Sequence, residues 1–231
     1  MRKLSVCITT YNRCELTLKC FEDILDDVLV DEIVIVDDAS YITIFMQLQD
    51  AVKNMSKVKL YRNEKNLDCY ANKKRAVELA TNEWAVLFDS DNILTQEYIS
   101  HIYAQAWTES TILAPVWAMP VFDYREFAGL YITKHNVASY MSKNMFATAL
   151  NTCNYFVNRD EYIKCFNPDI DPHSSDSIYM ACRWLEVGNN IHFVDGLVYD
   201  HTIHDQSHYK LNCHKSPEFY EEIENKLKNM N

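Results

Sequence analysis

Glycine is the residue this chain nearly does without. There are three in 231 residues, Gly129, Gly188 and Gly196. With none before Gly129, a GxxxxGK[ST] phosphate loop and a GxGxxG dinucleotide fingerprint are both excluded, because each needs glycines where backbone meets phosphate. Basic charge is also short: 22 Lys and Arg stand against 33 Asp and Glu, a formal net charge of −11. That balance argues against nucleic acid or an anionic membrane as partner, since both are met by a basic patch. It also means that an anionic substrate would need a local cation. The eight cysteines form no CxxC pair, so a structural zinc site is not expected. Several of them sit in apolar runs, which suggests buried, reduced thiols and a reducing, cytoplasmic setting. Long apolar runs are missing too. The stretch from Thr111 to Phe122 is broken by Pro115 and Pro120 and is too short to cross a bilayer. The chain turns polar at Thr9, too soon for the core of a signal peptide. A soluble protein with no integral membrane segment is expected.

What the chain has instead is a series of short apolar runs that stop abruptly in polar residues. Leu4 to Thr10 carries β-branched residues and reads as a strand ending in Thr9-Thr10-Tyr11-Asn12-Arg13. Glu32 to Val36 reads as a second, ending in Asp37-Asp38-Ala39-Ser40, Val58 to Tyr61 as a third, ending at Asn63, and Trp84 to Phe88 as a fourth, ending in Asp89-Ser90-Asp91. Between them, helical spacing predicts amphipathic helices over 15–28, 42–52 and 69–80, and Thr95 caps one that runs to about Trp107. Strand and helix thus alternate four times, the pattern of a parallel sheet with right-handed crossovers. The second half is less regular. Strands are predicted over 111–116, 154–157, 190–194 and 197–199, and helices over 159–165, 177–187 and 216–231, while 117–145 is aromatic-rich and resists assignment.

The strand that ends in Asp89-Ser90-Asp91 organises the rest. In an open α/β sheet, ligands bind at the carboxyl ends of the strands. Residues two apart on an extended chain point the same way, so Asp89 and Asp91 together suit one hard cation, the usual Mg²⁺ or Mn²⁺ arrangement beside a substrate's phosphates. The plainer reading is a polar turn whose Asp89 or Ser90 caps the next helix.

Four segments then resemble family 2 glycosyltransferases of the GT-A fold. Ser5-Val6-Cys7-Ile8-Thr9-Thr10-Tyr11-Asn12-Arg13 is similar to the family's opening "S-V-x-I-P-T-Y-N-R", and Glu32 to Ser40 to "E-I-I-V-V-D-D-G-S". Phe88-Asp89-Ser90-Asp91 resembles the D-x-D element, and Ser175-Asp176 opening a helix is followed by His201-x-x-His204. The resemblance implies an α/β, Rossmann-like GT-A domain with a mostly parallel sheet flanked by helices. Residues 1–115 would form a nucleotide-sugar-binding half and 116–215 an acceptor-binding half, with 216–231 a C-terminal helix. It implies a metal-dependent, inverting transfer of a sugar from a nucleotide-diphosphate donor, UDP-linked by preference, to a hydroxyl acceptor.

The same resemblance assigns residues. Asp38 would accept from the N3–H of a uracil-like base, and Thr9, Thr10, Tyr11, Asn12 and Arg13 would line the base pocket. Asp37 would serve the structure or the ribose. Asn66 to Ala80 matches the family's "N-x-G-x-x-x-A-x-N-x-G" imperfectly, with Asp68 where glycine is usual. Within it Lys73 is a candidate for a diphosphate or base contact, or else part of a solvated helix face. Asp91 would bind Mn²⁺ or Mg²⁺ directly. Asp89 would join it or contact the ribose, with Ser90 beside them. His201, or else His204, would be a further ligand. Asp176 is the general-base candidate, with Asp169 and Asp171 as rivals. Trp117, Tyr124, Phe127 and Tyr131 fall where an acceptor sugar would lie, or else pack in the core. Two other readings stand beside this one. One is a non-catalytic nucleotide- or carbohydrate-binding module on the same fold. The other is a sugar nucleotidyltransferase, against which the missing glycine loop counts heavily.

Overall fold

The computed structural model describes residues 2–203 and 217–230. Four strands, β1 (Leu4–Thr10), β2 (Val30–Asp37), β3 (Val58–Arg62) and β4 (Trp84–Asp89), form one half of an eight-stranded sheet. They are joined through helices α1 (Cys14–Phe21), α2 (Ile42–Val52) and α3 (Asp68–Leu79). Every pairing among the four is parallel. The apolar runs of β1, β2 and β4 are buried on both faces, which is why they read as unbroken hydrophobic stretches rather than as alternation, while the edge strand β3 is half-buried along its length.

After β4 come the two-residue β5 (Asn92–Ile93), α4 (Gln96–Tyr103), β6 (Thr111–Ala114), β7 (Trp117–Met119), β8 (Phe122–Asp123) and β9 (Tyr131–Ile132). The chain continues through α5 (Val137–Tyr140), α6 (Phe146–Leu150), β10 (Tyr155–Asn158), α7 (Arg159–Cys165), α8 (Asp176–Glu186), β11 (Asn190–Phe193), β12 (Val198–His201) and α9 (Pro217–Lys228). The main sheet has the order β3-β2-β1-β4-β10-β6-β11-β9. Strand β10 runs antiparallel to both β4 and β6, so the half beyond β4 is mixed rather than parallel. A second, four-stranded sheet, β5-β12-β7-β8, takes β7 and β8 from the stretch that resisted assignment and joins them to β12 and β5.

Two helices are shorter than their spacing predicts. Helix α1 stops at Phe21 and passes into a 3-10 turn over Glu22–Ile24, because Val28, which extends the apolar pattern, is exposed and packs on nothing. Thr95 caps α4 as expected, accepting from Tyr98 N, but the helix ends at Tyr103. Trp107 folds back so that its Nε1 donates to Ile102 O at 2.8 Å. Its ring packs on Trp84 and Phe156, with centroids 5.6 and 4.6 Å away.

One contiguous core of buried apolar side chains runs from Leu4 to Leu227 and joins both halves of the chain. Helix α9 packs on α5 and α8. Lys226 pairs with Glu186 at 2.5 Å, and Phe219 meets Tyr179 at 5.5 Å. Cys7, Cys14, Cys20, Cys69, Cys153, Cys165 and Cys182 are free thiols. Among the described residues, no helix is long and apolar enough to cross a membrane.

Candidate functional site

Register puts the polar strand ends at one level. Thr10 lies opposite Asp37, Asp37 opposite Arg62, and Thr9 opposite Asp89. A cavity of about 1140 Å³ opens there. It is lined by Thr9, Thr10, Tyr11, Asn12, Arg13, Asp38, Asn66, Lys73, Asp89, Ser90, Asp91, Asp176 and His201. The topology therefore gathers the first-choice residues for donor, metal and base onto one surface, although they come from seven separate stretches of chain.

At one end Asp38 is buried against a frame of amides. Its Oδ1 accepts from Asn63 Nδ2 at 2.7 Å and Leu67 N at 2.8 Å, and Asn66 Nδ2 donates to the Asp38 carbonyl at 3.1 Å. Burial pushes the Asp38 carboxyl above the usual range, against the pull of Leu67 and Asn63. The β1–α1 and β2–α2 loops are stapled: Asn12 N donates to Ser40 Oγ at 2.7 Å, and Tyr41 N donates to Asn12 Oδ1 at 2.8 Å. Asp37 turns away from the cavity. Its Oδ1 accepts from Ser40 N at 3.0 Å and from Arg62 Nε at 3.4 Å, a structural role.

Several backbone positions here have positive φ without being glycine: Asn12 (54°), Ala39 (60°), Asp68 (64°) and His173 (48°). Asp68 and Ala39 thus keep the left-handed conformation that glycine adopts freely, so the backbone bends although the glycine is missing.

In the middle stand the two carboxylates after β4. Asp91 Oδ2 accepts from Arg13 Nη1 at 2.5 Å. Asp89 lies 3.3 Å from Lys73 Nζ, and its backbone N–H donates to Asn154 Oδ1 at 2.8 Å. Burial raises the Asp89 carboxyl above its usual range, opposed by Lys73 and reinforced by Asp91 and Asp176. Ser90 Oγ is buried with no hydrogen-bond partner among the described residues, an orphaned polar atom on the cavity wall.

His201 arrives on β12, directly opposite Asn92 on β5. Asn92 Oδ1 accepts from Thr202 N at 3.3 Å and faces His201 Nδ1 at 3.0 Å. A carbonyl oxygen only accepts, so Nδ1 carries a proton; in the neutral ring that leaves the lone pair on Nε2, the tautomer a metal-binding imidazole needs. Carboxylate oxygens and an imidazole nitrogen are a donor set suited to Mn²⁺ or Mg²⁺. Among the described residues, the side chains whose ligand atoms fall within 4.8 Å of one another are Asp68, Asp171 and His173, of which Asp68 alone lines the cavity. Asp89, Asp91 and His201 line it without converging to that distance. His204 lies outside the described residues.

At the far end Asp176 opens α8, nearly buried, with Lys73 Nζ donating to its Oδ2 at 2.8 Å. Asn151 Oδ1 accepts from Ile178 N at 3.0 Å and so caps the same helix. Burial pulls Lys73 down, but Asp176 and Asp89 outweigh it and hold the ammonium well above its ordinary value. The rivals Asp169 and Asp171 stay off the cavity wall, and of the four aromatic residues only Tyr124 lines it. Phe127 packs inside against Phe146 and Phe193, Trp117 carries the Arg125 guanidinium 4.0 Å over its ring, and Tyr131 stacks on His192. Tyr199 and Tyr220 line the cavity instead, the latter brought in by α9. Sequence reasoning missed them, along with the framing amides Asn72, Asn92, Asn151 and Asn154, whereas Asn63 was placed at the site edge as the end of the third strand. Asn92 follows the D-x-D directly and was findable. The others carry no local signal.

The family model for glycosyl transferase family 2 matches residues 5–154. An uncharacterised glycosyltransferase of Mycoplasma genitalium is 31% identical over 130 residues, which are 53% of this chain and 41% of that protein. The chain therefore spans less than half of that curated relative. The crystal structure of S. aureus TarS residues 1–349 superposes with a TM-score of 0.66 at 15% identity, covering 99% of this chain and 71% of that one. Its complex with UDP-GlcNAc gives 0.68 at 16% identity, covering 96% and 64%. At that identity the likeness is one of fold. The sequence match extends over strands β1 to β4, their turns and the D-x-D element, and stops short of Asp176 and His201; the chain belongs to glycosyl transferase family 2.

Proposed function

We propose that this domain is a glycosyltransferase that moves a sugar from a nucleotide-diphosphate donor, UDP-linked, to a hydroxyl acceptor with inversion. The observation that carries this reading is one cavity with Asp38 at one end, Asp89 to Asp91 in the middle and Asp176 at the other. In this reading Asp38 receives the base. Its Oδ1 is taken by Asn63 and Leu67, which leaves Oδ2 for an imino N–H. Thr9 to Arg13 and Asn66 flank the nucleoside, and Ser90 Oγ gains the partner it lacks. A UDP-linked donor is favoured because TarS, of the same fold, has been crystallised with UDP and with UDP-GlcNAc.

Asp91, with His201 and Asp89, would hold Mn²⁺ or Mg²⁺, which when bound neutralises charge on the leaving diphosphate. Arg13 already sits on Asp91 and adds a fixed positive charge at the same place. Asp176 faces the acceptor. As the acceptor oxygen bonds to the anomeric carbon, its proton passes to the Asp176 carboxylate. The carbon–oxygen bond to phosphate breaks, and its electron pair leaves with the diphosphate. One displacement from the face opposite the leaving group inverts the centre.

The test pairs binding with turnover. UDP with Mn²⁺ should raise the melting temperature by mass action, more than GDP, dTDP or CMP do, and EDTA should abolish the rise. Asp176→Asn should keep that rise while transfer from a UDP-sugar falls by roughly 10²–10⁴-fold. Unchanged turnover in the variant removes Asp176 from the mechanism. Binding without turnover in the wild type, across donors and acceptors, would leave a binding module.

A further inference from the structure

Among the described residues, Lys73 is the one buried lysine on the cavity wall, its side chain 7% exposed. It lies on α3, which packs against β1, β2 and the turn before α8, so it reaches the cavity from beneath the sheet's edge. Its exposure rules out a solvated helix face. An ammonium group has three N–H donors. One points to Asp176 Oδ2 at 2.8 Å, and a second meets Asp89 Oδ1 at 3.3 Å. The two anions within its reach are therefore carboxylates of the chain itself.

We infer that Lys73 is a positioning residue that holds the base candidate Asp176 and the first D-x-D carboxylate, Asp89, on a single cation. This rests on the proposed function and deepens it. Two desolvated carboxylates repel each other, and each costs free energy to bury unpaired. The shared ammonium removes both penalties and fixes their separation. It also divides the work within Asp176. With Oδ2 held by Lys73, Oδ1, whose neighbour is Ser177 Oγ at a long 3.5 Å, is the oxygen that takes the acceptor's proton. Because Asp89 sits beside the donor and Asp176 beside the acceptor, the geometry of one side is tied to that of the other through Lys73.

The experiment uses the full chain with Lys73→Met and Lys73→Arg, after wild-type transfer has been measured. The readouts are UDP affinity by calorimetry, kcat and acceptor KM. Lys73→Met should leave the UDP Kd within about threefold while kcat falls on the order of a hundredfold, and Lys73→Arg should recover about tenfold of that loss. A tenfold or larger loss of UDP affinity with kcat kept at saturating donor would overturn the inference and make Lys73 a diphosphate ligand. So would a kcat within about threefold of wild type. Melting temperatures of Lys73→Met, Asp176→Asn and the double variant form a cycle that needs no activity. A double variant more stable than the sum of the single losses supports the pairing, and additive losses overturn it. Absent turnover in the wild type would defeat the proposed function, while the cycle would still report on the clamp.

Discussion

Glu32 shows how a single side chain can tie a sheet edge together. It is buried in β2, where it accepts from Ser5 Oγ at 2.5 Å, Lys59 Nζ at 2.5 Å, Thr81 N at 2.6 Å and Thr81 Oγ1 at 2.9 Å. These partners come from β1, β3 and the turn before β4. Burial raises its carboxyl, but Lys59, Ser5 and Thr81 together outweigh burial and hold it below the ordinary value of 4.5. A depressed carboxyl contributes stability that is present above that ordinary value and is lost as pH falls through the folded one. Glu32→Gln should therefore cost roughly 2–4 kcal/mol at neutral pH, since it strips charge from a buried, hydrogen-bonded group. The gap in melting temperature between variant and wild type should narrow as pH is taken below 4.5. A gap that does not change between neutral and acid pH would show that the ionised form contributes nothing. The sequence places Glu32 in a strand and in a family motif, yet nothing local says that its charge faces inward. Ala39 and Asp68 carry the opposite lesson. Both stand where the family pattern has glycine, and the structure holds φ at 60° and 64° all the same. The surrounding loops over-determine the bend, so the residue accepts the strain.

Among the elements, the pairing of β5 with β12 matters most for the site. Strand β5 has two residues, too few to be seen by periodicity, and β12 ends in the histidine that resemblance selects. Their antiparallel register sets His201 against Asn92, which fixes the imidazole tautomer. Asn92→Ala should weaken Mn²⁺ binding about 10–100-fold, as removal of an outer partner of a metal ligand does. Manganese titration of the nucleotide-free protein, followed by electron paramagnetic resonance, checks this without any turnover. An unchanged affinity would mean that His201 does not ligate, or needs no support. Helix α3 is the second such element. Its run of Asn72, Lys73, Lys74 and Arg75 reads as a polar face, but Asn72 and Lys73 point inward while Lys74 pairs with Glu78 at the surface at 2.6 Å. Sequence cannot separate these lysines, because what sorts them is the sheet beneath and the two carboxylates waiting there.

At the scale of the whole molecule, the far half of the sheet is held by aromatic packing rather than by regular strands. Phe193 of β11 meets Phe127 at 6.0 Å and Phe146 at 6.1 Å, and all three are fully or nearly buried. Phe193→Ala should cost about 3–5 kcal/mol, the transfer term plus the cavity left behind. Chemical denaturation would read that as a lower midpoint with an unchanged slope. A loss well under 1 kcal/mol would mean that the half can close over the gap. The alternation of strands and helices from β1 to α4 was legible from the chain alone, since buried parallel strands and amphipathic helices write their period directly into residue order. So were the polar strand ends and the D-x-D carboxylates, because each lies on a contiguous stretch. The pieces between Trp117 and Met145 were not legible. They are short, and they pair with β11 and β12 far along the chain. Residue order thus determined the fold class, the half of the sheet that carries the strand ends, and the side chains that cluster there. Tertiary structure alone decided which of them meet: Arg13 with Asp91, His201 with Asn92, and Lys73 between Asp89 and Asp176. Those pairings join residues 78, 109 and 103 positions apart, and no local pattern encodes a contact at such range.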